Sequence, residues 1–220
     1  MAQLRKSFHD RMGDLKQDLG SMGDLARESI QACLELLATG DVSLAQQVAS
    51  LEDEIDRLNM KIEHDGLQLL ATQQPMARDL RTIASVLKAV GDIERIGDYS
   101  VDMAKQAVLL AGQQHCKPLV DIPHMAALVQ DMLRDTLEAF AREDTARGLV
   151  AVAKDHEVDA IYRQLHEQLA GFIQAQPELA NQAIRLLMIA TYLERMADHV
   201  TNIGERIYYM VTGELKELHD

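Results

Sequence analysis

Apolar residues recur every seventh position at Leu80, Leu87, Val101 and Val108, and Glu94 stands where one more is due. A second series, Leu187, Glu194, Thr201 and Tyr208, has the same spacing and the same acidic interruption. A seven-residue period stays on one face of an α-helix, drifting by about 20° per step. Upstream of each series lie Leu51, Ile55, Leu58 and Ile62, or Val152, Val158 and Leu165, again at helical spacing. No segment alternates with period two, so the pattern predicts helices throughout.

The four prolines, at 75, 118, 123 and 177, punctuate the helices. A first helix ends at Gly40, and Asp41 is the expected N-cap of a second. The second ends near residue 72, and Pro75 is expected in the first turn of the third. The segment "GQQHCKPLVDIP", 112–123, reads as the central linker. A fourth helix reaches about Arg142, a fifth runs from about Asp144 to "AQPEL", and a sixth extends from about Pro177 to Thr212. The predicted fold class is all-α, with six long helices.

The two halves repeat each other. Pro75 matches Pro177, and Leu87, Glu94, Arg95 and Asp98 match Leu187, Glu194, Arg195 and Asp198 at an offset of one hundred. "EDEID" (52–56) matches "DHEVD" (155–159), which requires a three-residue indel between the helices. The expected organisation is a duplicated three-helix unit, 1–114 and 118–216, forming two tandem, pseudo-symmetric three-helix bundles.

Composition narrows the function. The net charge of −13 and the lack of a basic stripe argue against nucleic-acid binding. They equally disfavour polybasic attachment to anionic lipid. No stretch of eighteen uncharged apolar residues exists, and the N-terminus is charged from its start, so neither a membrane span nor a signal peptide is expected. Cys33 and Cys116 lie outside any metal or redox spacing and read as reduced thiols, which suits the cytoplasm. Phosphate-binding loops and nucleophile elbows are missing.

What remains is acidic. Asp98 and Asp198 lie one turn beyond Glu94 and Glu194, and Asn202 one turn beyond that. On the preceding helices Glu52 and Asp56, and Asp155 and Asp159, are also four apart. Like charges at that spacing repel. If consecutive helices are antiparallel neighbours, each half gathers four carboxylates, an oxygen-rich nest for a hard or borderline cation. The competing reading is structural: Arg95 and Arg195 neutralise these acids, or the acids are solvated surface. No histidine has a glutamate three residues before it, and His124, with Asp121, comes nearest but sits in the linker region. A ferritin-type oxidase is therefore disfavoured. Oxygen ligation leaves Fe, Mn, Mg, Zn or Ca open. His199, about 100° around the helix from Asp198, reads as a boundary residue whose repeat partner is Tyr99.

"RDLRTIASVLKAVGDIERIGDYSVDMA" and "LLMIATYLERMADHVTNIGERIYYMVTGE" resemble the two signature helices of the PhoU family, and "MGDLARESIQACLELLATGDVSLAQQVASLEDEID" resembles its first helix and the turn into the second. The resemblance covers almost the whole chain. It implies a cytoplasmic regulator of phosphate uptake that works with the Pst phosphate ABC transporter, through its ATPase, and with the PhoR–PhoB two-component system. Such regulators repress the starvation response when phosphate is plentiful. It also implies metal on the repeated acid-x-x-x-Asp motifs, which fall here on Glu52, Asp56, Glu94, Asp98, Asp155, Asp159, Glu194 and Asp198. Ala197 replaces the Gly97 of the first copy, and Thr191 stands opposite Gly91. Asp102 against Asn202 makes the two sites differ in charge. The reading is a non-enzymatic adaptor, with a homodimer as the expected assembly. A carboxylate-bundle diiron enzyme and a structural adaptor of another phosphate transporter are the alternatives.

Overall fold

The computed structural model describes residues 2–113 and 116–218. Three long helices, α1 (Ala2–Thr39), α2 (Leu44–Gln73) and α3 (Arg78–Leu110), form the first half. The second half comprises α4 (Asp121–Arg142), α5 (Thr145–Val152), α6 (Asp155–Ala175) and α7 (Ala180–Thr212). No strand occurs among the described residues. Each half closes as a three-helix bundle: α1, α2 and α3 pack mutually, and α4 and α7 enclose the α5–α6 segment. The halves join through α3 against α7 and α1 against α4.

Helical spacing builds the core directly. On α1, Leu15, Leu19, Met22, Ala26, Ile30, Cys33 and Leu36 are buried at steps of three and four. On α3 and α7 the matching positions Ile83, Val86, Val90 and Ile93, and Ala183, Leu186, Ala190 and Leu193, are also buried. The buried side chains form one continuous cluster through both halves. Burying each such side chain contributes roughly 1.5–3 kcal/mol.

Hydrogen bonds fix α3 and α7 as antiparallel. Arg81 Nε donates to Met210 O at 3.3 Å, Ser85 Oγ to Arg206 O at 3.3 Å, and Arg185 Nη1 to Gln106 Oε1 at 3.1 Å. The residue numbers of each pair have the same sum, so segment 94–98 lies opposite segment 193–197.

The expected fifth helix is two helices. Gly148 and Gly204 let α5 lie directly on α7: a Cβ on Gly204 would come 2.5 Å from Val152 Cγ1, and one on Gly148 3.0 Å from Ile207 Cδ1. Lys154 Nζ donates to Asp135 Oδ2 of α4 at 3.0 Å, holding the corner where α6 restarts. The expected caps shift as well. Asp41 precedes the N-cap, Ser43, and its Oδ1 accepts from Ser43 N at 3.0 Å and Ser43 Oγ at 2.7 Å. Asp144 caps α5 by accepting from Arg147 N at 3.0 Å. Pro75 lies outside α3, which starts three residues later, and Pro177 opens a 3-10 turn (Pro177–Leu179) before α7. The linker narrows because Asp121, Ile122 and Pro123 belong to α4, which also carries His124. Residues 114 and 115 of the expected linker lie outside the described ones.

Glycine positions separate packing from propensity. Gly171, in α6, has open space where a Cβ would stand. Gly171→Ala should stabilise by about 0.5–1 kcal/mol through helix propensity. Gly204→Ala should destabilise despite the same gain, since the stiff Val152 must move and overpacking costs about 1–3 kcal/mol. Urea midpoints of the two variants should shift in opposite directions.

Candidate metal centre

Both acid pairs of the first half come together. Glu52 and Asp56 face α3, and Glu94 and Asp98 face α2. The Glu52 carboxyl is pushed above its ordinary range by partial burial first, then by Asp56, Asp98, Asp53 and Glu94. Glu94 is pushed up by burial, with Asp98 and Asp56 adding to it and Arg95 and His199 opposing. The second half repeats the arrangement. Burial, Asp198, Asp159 and Asp155 raise Glu194, and Arg195 opposes. All eight acids singled out in the acid-x-x-x-Asp pairs therefore sit on two interhelical seams, α2–α3 and α6–α7.

These seams exist because each Glu occupies a position of the apolar stripe that neighbouring helices approach, yet stays at its edge. The Glu94 side chain is 27% exposed. Partial burial weakens its hydration, and the facing helix brings further negative charge. Carboxylates in that setting repel and splay. Among the described residues no three His, Cys, Asp or Glu side chains converge closely enough to hold one ion as they stand. The donor set is nevertheless entirely oxygen on both seams, which suits hard, hydrated cations. Beside the second seam lies an open cavity of ≈ 470 Å³ lined by Glu194 and Asp198 together with Arg195, His199, Thr191, Tyr162 and Tyr99. It has room for an ion together with its waters.

The arginines behave differently in the two halves. Arg95 Nη1 donates to Asp98 Oδ2 at 3.1 Å, and its Nε lies 3.8 Å from Glu94 Oε2. The Arg195 guanidinium sits over the Tyr99 ring, 6.0 Å from its centroid, so it crosses to the other half. The neutralisation expected of the structural reading is thus partial in the first half, through an exposed pair of the kind worth about 0–1 kcal/mol.

Between the two seams lies a polar and aromatic patch that the sequence pattern did not disclose. His199 Nδ1 is 2.9 Å from Asp92 Oδ1, and Asn202 Nδ2 donates to the same oxygen at 3.2 Å. Asn202 is therefore engaged across the α3–α7 seam. At the repeat-related positions Tyr99 stacks on Tyr192, with centroids 5.9 Å apart. The pair 92/199 and the pair 192/99 are images of each other under the offset of one hundred. One is an acid–imidazole contact and the other an aromatic pair. Comparing the halves position by position would have exposed Asp92 and Tyr192, since only non-identical residues mark this crossing. His199 is a boundary residue, as its angle around the helix implied.

The carboxylates give a pH prediction. A carboxyl whose folded pKa is raised destabilises the folded state when ionised, and this penalty is complete above the folded pKa. It disappears as pH falls through the folded pKa toward the unfolded value of about 4.3. In chelator, Glu194→Gln should raise Tm at pH 7.5 and lose that advantage by about pH 4. Glu143 is the opposite case. Lys16, at 2.7 Å, and Arg78 overcome its burial and hold it below its ordinary range. Glu143→Gln should lower Tm at pH 7.5, with the loss shrinking as pH falls through 4. Thermal melts across that range check both signs.

Comparison with known proteins bears on the whole chain. The family model described as PhoU domain matches residues 19–107 and 122–207. The phosphate-specific transport system accessory protein PhoU homolog of Clostridium acetobutylicum is 33% identical over 98% of this chain and 99% of its own length. The protein of the same description from Caulobacter vibrioides is 34% identical over 95% of this chain and 91% of its own. The crystal structure of PhoU from Pseudomonas aeruginosa superposes with a TM-score of 0.89 at 32% identity, covering 94% of this chain and 100% of that one. The crystal structure of the phosphate transport system regulatory protein PhoU from Streptococcus pneumoniae gives 0.89 at 30% identity, covering 96% and 100%.

Proposed function

The chain belongs to the PhoU family, and on that premise we propose that it is a cytoplasmic accessory protein of a phosphate-specific transport system. It acts as a metal-binding helical adaptor between the Pst transporter ATPase and a PhoR-type sensor histidine kinase. It represses the starvation response when phosphate is plentiful, and it does so without catalysing a reaction. The observation that carries this reading is the pair of acidic seams at repeat-related positions, in a chain that matches accessory proteins from end to end.

Glu52, Asp56, Glu94 and Asp98 would hold cations on the α2–α3 seam, and Asp155, Asp159, Glu194 and Asp198 on the α6–α7 seam. A bound ion supplies positive charge that turns the repulsion across each seam into attraction. The chain's own residues do the rest. The apolar positions flanking each acid fix the helices that present it, while Arg95 limits the net charge of the first seam. Among the described residues no helix is long and apolar enough to cross a membrane, which suits a protein that meets its transporter at the membrane surface. The chain assembles as a homodimer.

The double variant Glu194→Ala/Asp198→Ala should lower the metal recovered by elemental analysis of protein purified without chelator. It should also derepress a phosphate-starvation reporter at high phosphate. Unchanged metal content in both this variant and Glu94→Ala/Asp98→Ala would remove the site assignment. Loss of metal with normal repression would separate metal binding from signalling.

A further inference from the structure

The first half carries an apolar groove that the second half has closed. Ala45, Val48 and Ala49 of α2 and Val101, Ala104 and Val108 of α3 line it, with a volume of ≈ 420 Å³. Its outer lip is Leu109, 50% exposed. Under the repeat, Ala45 and Ala104 correspond to Gly148 and Gly204, and those two glycines let α5 close onto α7. Val152, whose repeat partner is Ala49, is buried against Gly204, so its side chain fills the space that Ala49 leaves empty between α2 and α3.

What lies at the groove's inner end identifies its occupant. Along α2, positions 45, 48, 49, 52 and 56 form one helical stripe, and along α3 so do 94, 98, 101, 105 and 108. The apolar groove therefore runs within a single turn into Glu52, Asp56, Glu94 and Asp98. Lys105, the one cation among its lining residues, has its charge met by Asp102, with Nζ at 2.8 Å from Oδ1. A second copy of a chain of net charge −13 would bring more negative charge to this place. A segment with apolar side chains over two turns and Lys or Arg over the next two matches both parts.

We propose that the α2–α3 face of the first half docks a cationic amphipathic helix of a protein partner. Its apolar anchors fill the groove beside Ala49, and in the metal-free protein its basic end lies on Glu52 and Glu94, in competition with the cation proposed for that seam. This deepens the adaptor reading and rests on it only in taking the ligand to be a protein segment. Among the described residues Val152 occupies the equivalent place in the second half, so the duplicated molecule meets this partner once.

The test uses two fluorescein-labelled synthetic helices in chelator. One has Leu and Ala in its first two turns and Lys in the next two, the other the reverse order, and a scrambled peptide of equal composition is the control. At least one ordered peptide should bind saturably, and about tenfold more tightly than the scrambled one. Ala49→Trp, at an exposed position outside the core, should weaken it about tenfold by filling the groove. Glu52→Gln/Glu94→Gln should weaken it and flatten its salt dependence. Ile184→Asp, elsewhere on the exposed surface, should leave it unchanged. Equal binding of the scrambled peptide, indifference to Ala49→Trp, or no saturable binding in either order overturns the proposal. Self-association abolished by Ala49→Trp overturns it in favour of a second copy. Because the readout needs neither transporter, kinase nor metal, it stands or falls separately from the adaptor role.

Discussion

The antiparallel contact between α3 and α7 sets the positions of nearly everything else in the molecule. It is tied by Arg81, Ser85 and Arg185 and by the stacked Tyr99 and Tyr192, and it crosses the two halves at their repeat-related midpoints. Each helix must therefore turn one apolar face to its repeat partner and another to the preceding helix of its own half. The acids at 94, 98, 194 and 198 are confined to the narrow strip left at the edge of those faces. They are too close to the core to be fully hydrated and too exposed to be excluded from water. Moving either helix by one turn would bury a carboxylate or expose an isoleucine. The register that packs the core is the register that gathers the charge.

Charge gathered in this way costs folding free energy, and the fold contains partial offsets. Arg95 lies over the first seam, while Arg195 is drawn to Tyr99. Far from the seams the balance is reversed: Glu143 at the end of α4 is met by Lys16 of α1 and Arg78 of α3, and Asp135 is met by Arg134 and Lys154. Those clusters lock helices together across the bundle. The seams hold like charge in matching places, an arrangement that adds nothing to the apoprotein's stability and acquires a purpose once a cation or a basic group lies on it.

The periodicity made helix type, helix order and the location of the acids legible, because each depends on spacing along one chain segment. Glu94 betrayed itself by standing in an apolar series, and Glu194 by doing so again. The features that were not legible depend on pairs of residues far apart in sequence. Whether the expected fifth helix runs straight depends on Gly204 meeting Val152, and nothing within residues 144–175 announces that contact. Asp92 looked like any surface acid until His199 was placed beside it. Asp41 was read as a cap because its side chain suits the role, but Ser43 intervenes and Asp41 supports the turn instead.

Duplication leaves two copies under the same packing constraint, and the differences between them show which positions that constraint leaves free. Glu94, Arg95 and Asp98 recur as Glu194, Arg195 and Asp198. What differs lies at the margins: Ala104 against Gly204, Asp92 and His199 against Tyr192 and Tyr99, Asp102 against Asn202. Ala49 with Ala104 leaves a groove that Val152 packed on Gly204 fills in the second half. Exchanging an acid–imidazole pair for an aromatic pair changes how each half meets the crossing without altering the helix axes. Small-volume substitutions at close contacts therefore let one repeat specialise for docking while both retain the acidic seams, because neither change disturbs the buried register of α3 on α7.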